Sequence, residues 1–101
     1  MIVIRNVFRL KYGKSREAVA LMKESLAIQK RALGDVNFST RMLTDVTGPF
    51  YTMVLEVTMP DLATFETHTP RLFGDKEFQA VMQKTMPLVE SGYREVFTIV
   101  E

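Results

Sequence analysis

An α+β sandwich, with a four-stranded antiparallel sheet as one layer and helices as the other, is the fold class this sequence predicts. Three observations carry that prediction. Runs rich in β-branched and aromatic residues occur at 2–10, 36–44, 50–58 and 93–100. Apolar residues at helical spacing fill the long intervals before the second run and before the fourth. Only a short turn containing Gly48 and Pro49 separates the two middle runs, so those strands form a hairpin. At 101 residues the chain is a single domain able to build one core.

Each element has its own local reason. In the first strand, Ile2 to Leu10, polar interruptions fall at Arg5, Asn6 and Arg9, and Lys11, Tyr12, Gly13 and Lys14 end it. Ser15 is expected to cap the first helix, Glu17 suits its first turn, Val19, Met22, Leu26 and Leu33 form the stripe, and Gly34 stops it. After the hairpin, Pro60 and Asp61 open a short helix through Leu62, Phe65 and His68, and Pro70 is expected to end it. Asp75 caps the next helix, whose stripe is Phe78, Val81, Met82 and Met86. Pro87 and a turn at Glu90, Ser91 and Gly92 then lead into a strand beginning at Tyr93. The order βαββ(αα)β is that of a ferredoxin-like sandwich.

Composition excludes several function classes. Hydrophobic residues make up 47% and charged residues 25%, the balance of a folded globular chain. Thirteen basic against twelve acidic residues leave +1, so no nucleic-acid or anionic-membrane footprint is expected. With no cysteine and one histidine there is no disulfide, thiol nucleophile, thiolate metal site or multi-histidine cage. No basic-then-apolar leader opens the chain and no apolar run is long enough for a membrane helix, so the expected location is the cytoplasm. The RNA-recognition fold shares the strand order, but its third strand needs a basic residue, a glycine and stacking aromatics where this chain has Met53 and Val54.

The strand faces point to a second copy. In the third strand Tyr51, Met53, Leu55 and Val57 form the face under the helices, and in the second Val36, Phe38 and Met42 match it when paired residue numbers sum to an odd value. A sum of 95 is expected, placing Arg41 opposite Val54 and diagonal to Glu56 across a four-residue loop. The other face mixes valines with Arg5, Arg41 and Glu56, too much mixed surface for a monomer to leave bare. A homodimer stacking sheet on sheet would cover it and enclose those charges near a cavity.

The strand and helix order, the Tyr12-Gly13-Lys14 entry to the first helix, and the closing segment from Asp75-Lys76-Glu77-Phe78-Gln79 through Glu90-Ser91-Gly92-Tyr93-Arg94-Glu95 resemble the dimeric α/β-barrel superfamily. Within it the chain looks most like NIPSNAP-like and antibiotic biosynthesis monooxygenase-like proteins. The resemblance spans essentially the whole chain. It implies a homodimer with a cavity for a small apolar or aromatic molecule, since the superfamily holds cofactor-free monooxygenases, haem enzymes, isomerases and proteins with no known reaction. Two readings stay open: a cofactor-independent monooxygenase or isomerase, and a non-catalytic dimeric binding or stress-response module.

The candidate site residues follow. His68 is read as a general base or a haem ligand at the cavity mouth, against the alternative of a solvated histidine near a helix end. Arg41 joins it as a candidate catalytic group. Arg5, Asn6, Glu56 and Tyr93 are candidate substrate-binding residues, while Arg5, Arg41 and Glu56 also read as an ion pair that fixes the dimer's register. Haem-degrading members of the superfamily combine a first-strand asparagine with a tryptophan and a histidine. Asn6 and His68 match two of these, but the chain has no tryptophan, so neither haem nor any other cofactor is expected.

Overall fold

Strand β1 (Ile2–Leu10) forms as its sequence predicts and takes a central place in the sheet, between β3 (Thr52–Met59) and β4 (Val89–Thr98). The computed structural model describes residues 1–101. The sheet order is β2-β3-β1-β4, with β2 (Ser39–Thr44) at one edge, and every neighbouring pair is antiparallel. Helices α1 (Ser15–Ala32), α2 (Leu62–Phe73) and α3 (Lys76–Thr85), with one 3₁₀ turn at Met86–Leu88, make the second layer. This is the ferredoxin-like sandwich. No helix is long and apolar enough to cross a membrane.

Several boundaries differ from the sequence reading, each for a visible reason. Helix α1 has no side-chain cap: Gly13, at φ 78°, turns the chain, Lys14 donates to the Lys11 carbonyl, and Ser15 is already helical. Val36 and Phe38 precede β2 instead of lying in it, and their side chains pack against both clusters of the core. Helix α2 runs on through Pro70. The proline removes the bond its N–H would have donated to the carbonyl four residues back, but the Thr69 hydroxyl donates to the Phe65 carbonyl at 2.6 Å and Gly74 N–H reaches the Pro70 carbonyl, so the last turn still closes. Asp75 caps α3 as expected, accepting from Phe78 N–H, and Asp61, at the expected opening of α2, proves to be its cap, accepting from Thr64 N–H.

The last strand begins at Val89, and Glu90, Ser91 and Gly92 belong to it instead of forming a turn. A bulge at Glu90 lets pairing continue past Arg9 to Leu10. Gly92 stands opposite Phe8, and a Cβ there would lie 3.1 Å from the Val7 carbonyl oxygen and 3.3 Å from the Phe8 ring. The glycine is there for close packing.

The hairpin pairs with a sum of 97, two residues from the expected register. Ser39 faces Thr58, Arg41 faces Glu56, and Leu43 faces Val54. Because the shift is even, the faces are as predicted: Met53, Leu55, Val57 and Met59 lie under the helices with Ile4 and Leu10. Tyr51 falls outside β3, in the left-handed region at φ 60°, with its ring against Tyr12.

The observed register orders the uncovered face into rows across all four strands. One row is Phe97, Val3, Thr58 and Ser39; the next is Glu95, Arg5, Glu56 and Arg41; the third is Tyr93, Val7, Val54 and Leu43. The middle row alternates in sign and is bonded end to end. Arg5 donates from Nε to Glu56 at 2.9 Å and from Nη1 to Glu95 at 3.0 Å, and Arg41 donates from Nη2 to Glu56 at 2.6 Å. Hydrogen bonding from Arg41 and then from Arg5 holds the Glu56 carboxyl below its ordinary value, although its burial, at 12% exposed, pushes the other way.

Two outcomes follow. Gly92→Val is expected to lower stability by about 1–3 kcal/mol in denaturant unfolding, because neither the Val7 carbonyl nor the Phe8 ring can withdraw fully. Glu56→Gln is expected to cost about 1–2 kcal/mol, the exposed Arg41 contributing a screened share. Since the folded Glu56 pKa is depressed, its stabilisation is present above the ordinary glutamate value of 4.5 and is lost as pH falls through the lower folded value. Unfolding midpoints measured down that acid limb are expected to fall more steeply for the parent than for Glu56→Gln.

Candidate functional site

The core is divided. Nine buried residues, among them Ile4, Met22, Met53 and Leu55, pack between the sheet and the first half of α1. Five others, Ile28, Leu33, Leu72, Phe78 and Val81, join the three helices to one another. A cavity of about 560 Å³ lies at the seam and draws its wall from both clusters. That volume is in the range of small-molecule sites.

Fifteen of the 22 lining residues are hydrophobic, including Phe8, Leu55, Val57, Phe65 and Phe78. The polar exceptions are few and placed. Ser25 and Gln29 are buried on the inner stripe of α1, and Gln29 Nε2 donates to Ser25 Oγ at 3.2 Å. That stripe continues from Ala18 and Met22 at helical spacing, so two polar side chains stand where an ordinary core would place leucines. Across the cavity Asn6, on the helix-covered face of β1, accepts from Arg94 Nε at 2.7 Å. The Arg94 guanidinium carbon lies 5.2 Å from the centre of the Phe65 ring.

The structure separates the sequence-predicted residues into three places. Asn6 is on the cavity wall. Arg5, Arg41 and Glu56 come together, but in the charged row on the opposite face of the sheet. Tyr93 lines the cavity only along the chain. Its pairing with Val7 sets its ring on the uncovered face, where the residue is 61% exposed, so the phenol is not offered to the cavity. His68 is not among the lining residues. It sits inside α2, with Nδ1 3.0 Å from Arg71 Nη1, and because an arginine only donates, Nδ1 accepts.

Arg71 binds His68 into a clamp between helices. It reaches Asp35 at 3.0 Å and the Ala32 carbonyl at 3.2 Å, tying α2 to the end of α1. The Arg71 hydrogen bond holds the Asp35 carboxyl below its usual range, helped by a backbone hydrogen bond within Asp35. Arg31 makes the matching tie to α3 through Asp75 at 3.2 Å, whose carboxyl is lowered first by the Phe78 N–H it caps and then by Arg31. No three His, Cys, Asp or Glu side chains gather in a metal-holding group.

Sequence reasoning missed Arg94, Ser25 and Gln29 as cavity residues. The signal for Arg94 was the alternation of β4: with Tyr93 on the uncovered face, its neighbour must face the helices. The signal for Ser25 and Gln29 was their place on the Ala18–Met22 stripe.

No protein-family model and no curated protein matches the chain. Solved structures do. An uncharacterized NIPSNAP domain protein from Burkholderia xenovorans superimposes with TM-score 0.86 at 20% identity, covering 99% of this chain and 95% of that one. A NIPSNAP family protein from Agrobacterium tumefaciens gives 0.85 at 24%, covering 99% and 93%. SnoaB, a cofactor-independent oxygenase from Streptomyces nogalater, gives 0.72 at 16%, covering 99% and 93%. The likeness is therefore one of architecture over the whole chain: the protein has the ferredoxin-like fold of NIPSNAP and antibiotic biosynthesis monooxygenase-like structures.

Proposed function

We propose that the protein is a homodimer that binds one small apolar or aromatic molecule per chain, without a cofactor, in the cavity between sheet and helices. The observation that carries this reading is the divided core. A chain of this size gains most by closing its apolar surfaces on one another, yet here two buried clusters, joined through the partly buried Leu21, Val36 and Phe38, leave an apolar space between them with Ser25 and Gln29 set into its wall. The fold shared with SnoaB favours an oxygenase as the second reading. Binding is better supported than catalysis, since the wall carries no carboxylate, imidazole or lysine to serve as a general base. Of the asparagine, tryptophan and histidine of haem-degrading enzymes, the wall holds only Asn6, which favours the cofactor-free reading.

The partner is a second copy of this chain, stacked on the uncovered sheet face. Two rows containing Phe97, Val3, Tyr93, Val7, Val54 and Leu43 flank a charged row that is already paired within the sheet. Two arginines against two glutamates leave that row without net charge, so it can be covered without stranding an ion. Phe97 and Tyr93 are about half exposed or more in the single chain, as anchors of an interface are before assembly.

Sedimentation velocity of the purified protein is expected to show a dimer, and Phe97→Glu to weaken its association at least about tenfold. A monomeric parent would overturn the stacked-sheet assembly. Nile red, a neutral apolar dye, is expected to bind saturably with one site per chain, and Thr69→Trp, which fills the cavity wall from α2, to weaken it about tenfold with the far-ultraviolet spectrum unchanged. Absence of saturable binding would overturn the cavity reading.

A further inference from the structure

We infer that the ligand is an apolar molecule carrying a single oxyanion, a carboxylate or phenolate, seated against Arg94 and Asn6. This rests on the binding reading above and adds the chemical class of what is bound. Arg94 is the only charged residue among the 22 that line the cavity. Arg5, Arg31, Arg41 and Arg71 all pair with carboxylates elsewhere in the molecule, whereas Arg94 has only the neutral Asn6 oxygen as an acceptor. That bond uses Nε. The four N–H groups on Nη1 and Nη2 have no protein acceptor, and they form the planar fork that matches a carboxylate.

The same bond fixes the chemistry of Asn6. With Oδ1 engaged by Arg94 at 2.7 Å, the amide presents its NH₂ as the free group, and no protein acceptor takes it. Arginine and asparagine thus offer donors only. A neutral carbonyl could use one of them, but an oxyanion can accept from both and also supply the charge the arginine lacks. Phe65 stacks on the guanidinium without neutralising it, so the cation is held in place for a partner.

Position sets the rest of the ligand. Arg94 is exposed at the edge strand β4, so the oxyanion sits at the mouth, while the apolar body runs inward toward Met22, Leu55 and Val57. One unpaired cation fits one negative charge. A second charge would find no second cation among the lining residues.

Calorimetric titration with 2-naphthoate and its neutral near-isostere 2-acetylnaphthalene, at about pH 8 where the carboxylate is ionised, tests the inference. The parent is expected to bind the naphthoate at least about tenfold more tightly. Arg94→Gln is expected to bring the ratio of the two affinities to about one, Arg94→Lys to retain part of it as a point charge without the fork, and Arg9→Gln, on the uncovered sheet face, to keep it whole. Equal affinities in the parent, or a preference that survives Arg94→Gln, would overturn the inference. If neither naphthalene binds while Nile red does, the oxyanion assignment fails and the cavity reading stands; if Nile red also fails, the cavity reading itself falls.

Discussion

The alternating row Glu95, Arg5, Glu56, Arg41 is the constraint on which the rest of the structure depends, because it ties the register of all four strands to one another. A slip of one residue in any pair would turn every side chain to the other face and drive arginines into the core. A slip of two would preserve the faces but set a charge against an apolar neighbour, as in Arg41 against Val54. Hydrophobic alternation alone forbids the first error. The charges disfavour the second.

With the faces fixed, the helix layer is determined by what β1 and β3 expose to it. Ile4, Met53 and Leu55 collect the first half of α1, while α2 and α3 close chiefly on the far half of α1, through Leu33, Leu72 and Phe78 and through the Arg71 and Arg31 ties. The seam between those arrangements is the cavity. Its shape therefore follows from a division of labour along α1, and the two polar residues on that helix face the space that the division leaves.

How much of this was legible in the sequence depends on which signal each feature leaves. Period-two alternation and helical stripes found all four strands and all three α-helices and the correct face of the first three strands, and Asp61 and Asp75 announced their helices. Boundaries failed where the deciding partner was distant in sequence: Gly92 looks like a turn residue until Phe8 is set opposite it, and Val36 and Phe38 look like strand until the core claims them. The candidate site was less legible. Asn6, Arg5, Arg41 and Glu56 were singled out by polarity within apolar strands, but polarity alone does not say which face holds the cavity. His68 drew attention by being the sole imidazole, a matter of count and not of place. Arg94 lay in plain view in β4, and only the parity of its strand separated it from a surface arginine.

Helix α2 has a consequence of a different kind. Of its twelve residues only Leu72 is buried, and Pro70 removes one rung of its ladder, whereas β1 is bonded on both sides along its whole length. Local opening free energies are therefore graded across the molecule, low at this helix and high at the central strand. A molecule bound in the cavity as proposed would have Phe65, Thr69 and Leu72 of that helix as one wall, so local opening of α2 would widen the space around it while the sheet side stayed fixed.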